Sequence, residues 1–121
     1  LRLQALIAAE HGRSHSAAET DWASIAGLYA VLEARTESAV VRLNRAVALA
    51  EADGPRSGLD VLEGLDGLLP DNHRLAAIRA DLYQRMGDIH RARSSYRAAI
   101  DRCQNEAERA HLAARLAGLP G

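Results

Sequence analysis

The sequence predicts an all-α fold built from antiparallel helix pairs, and three observations carry the prediction. Apolar residues make up 48% of the 121 residues but aromatic ones only 3%, with no Phe. Ala and Leu therefore supply the core, a composition that suits closely packed helices better than a sheet, which favours β-branched and aromatic side chains. Apolar residues recur at helical spacing along the chain, and no segment shows the alternation of a strand. The chain also repeats itself in register: "RAVAL" at Arg45–Leu49 returns as "RADLY" at Arg79–Tyr83.

Seven helices follow from periodicity and punctuation. Leu3, Leu6 and Ile7 share one face of a first helix that stops near Gly12. Ser16 with Glu19 forms a capping-box pattern in the polar stretch that follows. The second helix carries Trp22, Ile25, Ala26, Tyr29 and Leu32 on one stripe and ends at Thr36-Glu37-Ser38. Trp22 reads as a core anchor between the second and third helices. The third helix covers about Ala39–Ala52. Gly54 closes it and Pro55 opens the fourth, which runs to about Leu65. The fifth spans His73–Met86 and ends at Gly87-Asp88. The sixth covers Ile89–Cys103, and Asn105-x-x-Glu108 caps a seventh over Glu106–Ala117.

Sliding the chain along itself until Arg45 lies on Arg79 places Ala46 on Ala80, Leu49 on Tyr83, Gly58 on Ala92, Leu62 on Tyr96 and Leu65 on Ala99. A helix–turn–helix unit at that period, roughly 34 residues, is the tetratricopeptide signature. In it, small residues let paired helices approach and a large residue fills the gap beside them. Residues 73–106 fit the repeat well and residues 39–72 less well. Residues 1–35 form an atypical first pair, and residues 106–118 supply the capping helix that such stacks need. The predicted architecture is one helical domain stacked as a right-handed solenoid.

Charge narrows the function classes. The formal net charge is −1, which argues against a general binder of nucleic acid or anionic membranes. All fifteen basic residues are Arg. Residues 1–72 hold six of them against eleven carboxylates, and residues 73–121 hold nine against five. Arg91, Arg93, Arg97 and Arg102 on the sixth helix read as a solvated face or as a contact for an acidic surface. Cys103 alone cannot form an internal disulfide, so the cytoplasm is the expected compartment. No apolar run reaches membrane-spanning length, and no stretch of these residues reads as a signal peptide. The chain begins at Leu1 within a helical pattern, which reads as a piece of a longer protein.

No catalytic or metal constellation is expected. His11 and His15 stand at i and i+4, but Gly12 interrupts the helix between them and no Cys or carboxylate joins them. Cys103 has no nearby His in sequence, Ser94 and Ser95 lack an elbow motif, and Gly54-x-x-x-Gly58 follows no strand. The chain therefore reads as a non-enzyme without cofactor or small-molecule substrate. The candidate partner-binding residues are Asn44, Arg45, Arg74, Arg79 and Asp81, on the third and fifth helices. Arg45 and Arg79 each precede a small Ala at a helix contact. A guanidinium there needs a partner: either a carboxylate bridging two helices, Asp21 and Asp81 being candidates, or the carboxylate or carbonyl of a bound protein. Asn44 offers donors and an acceptor to an extended backbone.

Longer stretches carry a family resemblance. "TDWASIAGLY", "VVRLNRAVALAEADGPRSGLDVL" and "RADLYQRMGDIHRARSSYRAAI" resemble the C-terminal extension of a group of bacterial extracytoplasmic-function sigma factors. That similarity runs from Leu3 to Leu116. It departs from the group's pattern at Thr36-Glu37-Ser38-Ala39, where prolines are usual, and at Ala76, where a second His is usual. The resemblance implies an interaction or regulatory domain whose partners are the parent's sigma regions or core RNA polymerase. Promoter DNA would be reached through the parent, not through these residues. A tetratricopeptide adaptor unrelated to transcription is the alternative.

Overall fold

The structure, a computed structural model, describes residues 20–120; the predicted first helix and the Ser16–Glu19 capping box lie outside them. Among the described residues the protein is all-helical: α1 (Trp22–Thr36), α2 (Ala39–Asp53), α3 (Pro55–Leu62), α4 (His73–Arg85), α5 (Ile89–Arg102) and α6 (Glu106–Ala117), with a 3₁₀ turn at Leu65–Gly67. The chain divides into two compact units, with the division between Leu62 and Glu63.

Short polar residues start the helices. The side chains of Asp21, Ser38, Asn72, Asp88 and Asn105 each accept a hydrogen bond from the backbone amide three positions on, satisfying a donor that has no partner inside the helix. At Asp21 the Ser24 hydroxyl, then its amide, holds the carboxyl below the usual carboxylate range. Glu108 does not return the bond that its spacing after Asn105 predicted. Its carboxylate instead lies 3.2 Å from His73 Nε2.

The stops are equally local. Gly54 has φ of 107° and ψ of 162°, which lets α2 end and aims the chain at Pro55, the first residue of α3. Between α4 and α5 the Asp88 amide donates to the Tyr83 carbonyl at 2.9 Å and the Gly87 amide to Gln84 at 3.0 Å. With Gly87 at φ 81°, these two bonds form a Schellman stop. The fourth predicted helix is shorter than expected. Gly64 at φ 83° breaks it after Leu62, and Leu65 enters the 3₁₀ turn.

In the first unit α2 packs against both α1 and α3. Arg42, early in α2, donates from Nε to the carbonyl of Val61, late in α3, at 2.8 Å, so the two helices run antiparallel. Ile25, Ala26, Leu32, Val41 and Ala48 form the core between α1 and α2. Trp22, read as a core anchor, packs against that cluster and is partly buried.

In the second unit α5 packs against α4 and α6 around Ala76, Ala80, Ala92, Tyr96, Ala99, Cys103, Leu112 and Leu119. The small residues singled out by the repeat register are at the helix contacts. Ala46, Ala80 and Ala92 are all 0% exposed, and Gly58 is buried.

Candidate functional site

The polar residues of interest sit on α2 and α4, and the structure commits most of them to intramolecular partners. Arg45 Nε lies 2.8 Å from Glu33 Oε1, with both side chains about a quarter exposed. Arg79 Nη1 lies 2.7 Å from Asp66 Oδ1. The two repeat-equivalent arginines thus reach a carboxylate at nearly the same distance upstream, each on the preceding element. Neither of the candidate partners holds: Asp21 caps α1 and Asp81 binds other arginines. The reason is reach. A guanidinium at the start of a small-residue contact finds the segment that leads into its own helix.

Asp81 accepts from Arg85 Nε at 3.0 Å within α4 and from Arg115 Nη2 of α6 at 3.1 Å. The second contact joins positions 34 apart. Arg115 Nη2 also donates to Gln84 Oε1 at 3.0 Å, which accepts from the Tyr96 hydroxyl at 2.6 Å. At the other end, His73 of α4 meets Glu108 of α6. First turn meets first turn and last meets last, so α4 and α6 run parallel, with α5 packed against both.

Asn44 and Arg74 differ from the rest. Neither side chain makes a hydrogen bond or ion pair among the described residues; Asn44 is partly exposed and Arg74 exposed. The five candidate residues are split between the two compact units: Asn44 and Arg45 in the first, Arg74, Arg79 and Asp81 in the second. In the first unit a groove of about 370 Å³ between α1 and α2 is lined by Ala23, Gly27, Ala30, Leu49, Arg45 and Asp53, among others. Its lining is mainly alanine, with one residue of each charge. On α5, Arg91 pairs with Asp88 at 3.1 Å and sits over the Tyr83 ring, and Arg93 reaches the Pro120 carbonyl at 3.2 Å. Arg97 is exposed.

The hydrogen bond from Arg79 holds the Asp66 carboxyl below the usual carboxylate range, against an opposing effect of burial and with help from the charges of Arg79 and Arg102. A depressed carboxyl contributes stability that is present above its unfolded value of about 4 and is lost as the pH falls through the lower folded value. Asp66 is well exposed, so solvent screening keeps the effect small. Asp66→Asn is expected to lower neutral-pH stability slightly and to leave stability well below about pH 4 nearly unchanged, which flattens the acid limb. An identical acid limb in the variant and the parent protein would remove this pair from the account of acid stability.

Sequence reasoning also missed a cluster. His73, Cys103 and Glu108 bring their ligand atoms within 4.8 Å of one another, although Cys103 has no His near it in sequence. The whole of α4 and α5 separates His73 from Cys103 along the chain and hides that meeting. The carboxylates that meet Arg45 and Arg79, Glu33 and Asp66, likewise lie on the preceding element and are brought near only by folding.

No protein-family model and no solved structure matches the chain. It is similar to an uncharacterized protein of Rhizobium meliloti (strain 1021), with 36% identity over 111 residues. The alignment takes in 92% of this chain and 26% of that protein, so the chain spans about a quarter of its relative's length. No helix among the described residues is long and apolar enough to cross a membrane.

Proposed function

We propose that this chain is a protein-binding, regulatory C-terminal domain of an extracytoplasmic-function sigma factor, with its helix pairs stacked as a right-handed tetratricopeptide-like solenoid. The parent would bind core RNA polymerase and promoter DNA through other regions, and this domain would work in the cytoplasm without catalysing a reaction. The observation that carries the repeat reading is the Asp81–Arg115 pair, which joins parallel helices one repeat period apart. The matched Arg45–Glu33 and Arg79–Asp66 pairs support it. The sigma-factor reading rests on the resemblance of residues 3–116. An alignment that spans about a quarter of a longer relative fits a domain within a larger protein.

In tetratricopeptide repeats the A helices carry the partner-facing residues, and α2 and α4 hold the A-helix positions of their repeats. Arg45, Arg79 and Asp81 spend their charge on neighbours, so the partner's grip falls to Asn44 and Arg74. An amide can pair with an extended backbone and a free guanidinium with a carboxylate. Asn44→Ala and Arg74→Ala in the whole parent protein are expected to change stability by no more than about 0.5 kcal/mol. Both are expected to lower promoter-dependent transcription. Arg79→Ala is the structural comparison and should act through folded fraction alone. Full transcription from both stable variants would overturn the binding reading. Parent regions with no helical DNA-reading segments would overturn the sigma-factor reading and leave a tetratricopeptide adaptor.

A further inference from the structure

We infer that His73, Cys103 and Glu108 form a binding site for a single Zn²⁺-class cation at one end of the second unit. One imidazole nitrogen, one thiol sulfur and one carboxylate oxygen lie within 4.8 Å of one another. A nitrogen, sulfur and oxygen set is the donor chemistry of zinc, which takes three protein ligands and leaves a fourth position to water.

The spacing suits the ion. His73 Nε2 and Glu108 Oε1 are 3.2 Å apart, and two ligands bonded to zinc at about 2.0–2.2 Å on a tetrahedron lie roughly 3.3–3.6 Å apart. The sulfur needs to close by on the order of 1 Å to complete the set, given a zinc–sulfur bond of about 2.3 Å.

The backbone already fixes all three ligands. His73 is the first residue of α4, behind the Asn72 cap, and Glu108 is the third of α6, behind the Asn105 cap. Cys103 is the C-cap of α5, its amide bonded to the carbonyls of Ala99 and Ile100. Its sulfur makes a contact of 3.5 Å to the Asn105 carbonyl, a weak interaction that a metal bond would outweigh. Thiolate and carboxylate together balance the charge of the ion beside a neutral imidazole, so a partly buried site carries no uncompensated charge. The thiol is buried, 4% exposed, whereas the His73 and Glu108 side chains are 34% and 47% exposed. The ion enters, and its water ligand sits, on that open side. The bound cation would clamp the start of α4, the end of α5 and the start of α6 together.

The test is titration of the reduced full chain with Co²⁺, then displacement by Zn²⁺. One Co²⁺ per chain should bind with tetrahedral visible absorption and a thiolate-to-cobalt band in the near ultraviolet, and Zn²⁺ should erase both. Cys103→Ser should abolish the near-ultraviolet band. His73→Gln and Glu108→Gln should each weaken Co²⁺ and Zn²⁺ binding at least about tenfold, since losing a ligand costs no less than losing its supporting partner. His111→Gln, exposed elsewhere on α6, should change nothing. Absence of the near-ultraviolet band at saturating Co²⁺ overturns the site, even if cobalt binds at other histidines. So does a band with unchanged affinity in His73→Gln and Glu108→Gln. If circular dichroism shows Cys103→Ser unfolded, the two exposed positions decide the matter alone.

Discussion

Replacing Tyr96 by alanine is expected to lower the unfolding free energy by about 3–5 kcal/mol, the usual cost of deleting a buried aromatic side chain. Tyr96 is 1% exposed, and the cluster around it is built mainly from Ala76, Ala80, Ala92 and Ala99. Alanines have no side chain that can swing into the space, so the cavity stays open. The loss also strands part of a polar network: the phenol donates to Gln84, and the Arg115 guanidinium lies 5.6 Å from the ring centroid. For a domain whose total stability is about 5–15 kcal/mol, that is a large share of the whole. Tyr96→Phe separates the contributions. It keeps the ring, and Gln84 keeps its bond from Arg115, so its cost should be about 1 kcal/mol. Burial pushes the Tyr96 phenol above its usual value, with Arg115 opposing and Asp81 reinforcing. A raised value means stability that is complete below about pH 10 and falls as the pH rises through the folded value. Tyr96→Phe should therefore be less sensitive to alkali than the parent protein. Urea denaturation reads all of this, and a Tyr96→Ala cost near that of Tyr96→Phe would show that the ring is not the keystone of the second unit.

The parts of the fold that were legible in the sequence are those decided within a turn or two of chain. Asn72, Asp88 and Asn105 start helices because a short polar side chain reaches an amide three positions on. Gly54-Pro55 and Gly87-Asp88 stop and restart helices because φ is free at the glycine and fixed or capped just after it. The buried alanines were legible too, because Ala46 and Ala80 recur at one spacing and Ala92 recurs at the same spacing after Gly58. What escaped involves segments that meet only after folding. The need of Arg45 and Arg79 for carboxylates followed from the cost of a lone buried charge. Which carboxylates, Glu33 and Asp66, depended on how the preceding element lies. His73 and Cys103 illustrate the limit most clearly, since no local rule relates the start of one helix to the end of the next.

Replacing Ala80 by leucine is expected to cost on the order of 1–3 kcal/mol, the usual penalty for forcing extra methylenes into a filled contact. Ala80 is 0% exposed on α4, and Ala92 is 0% exposed on α5. Two helices meet at short range only where the side chains between them are small, so a leucine must push α5 away or take a strained rotamer. Leucine at Ala110, exposed on α6, is the control and should stay within about 0.5 kcal/mol. Combining the two deep changes gives the sharper test. Tyr96→Ala opens space in the cluster that Ala80→Leu overfills. The double variant should therefore be more stable than the sum of the single losses by about 0.5–3 kcal/mol, the range found for residues that share a contact. Strict additivity would mean that Ala80 and Tyr96 act at separate places. The small-residue register would then mark helix faces without setting how closely the helices pack.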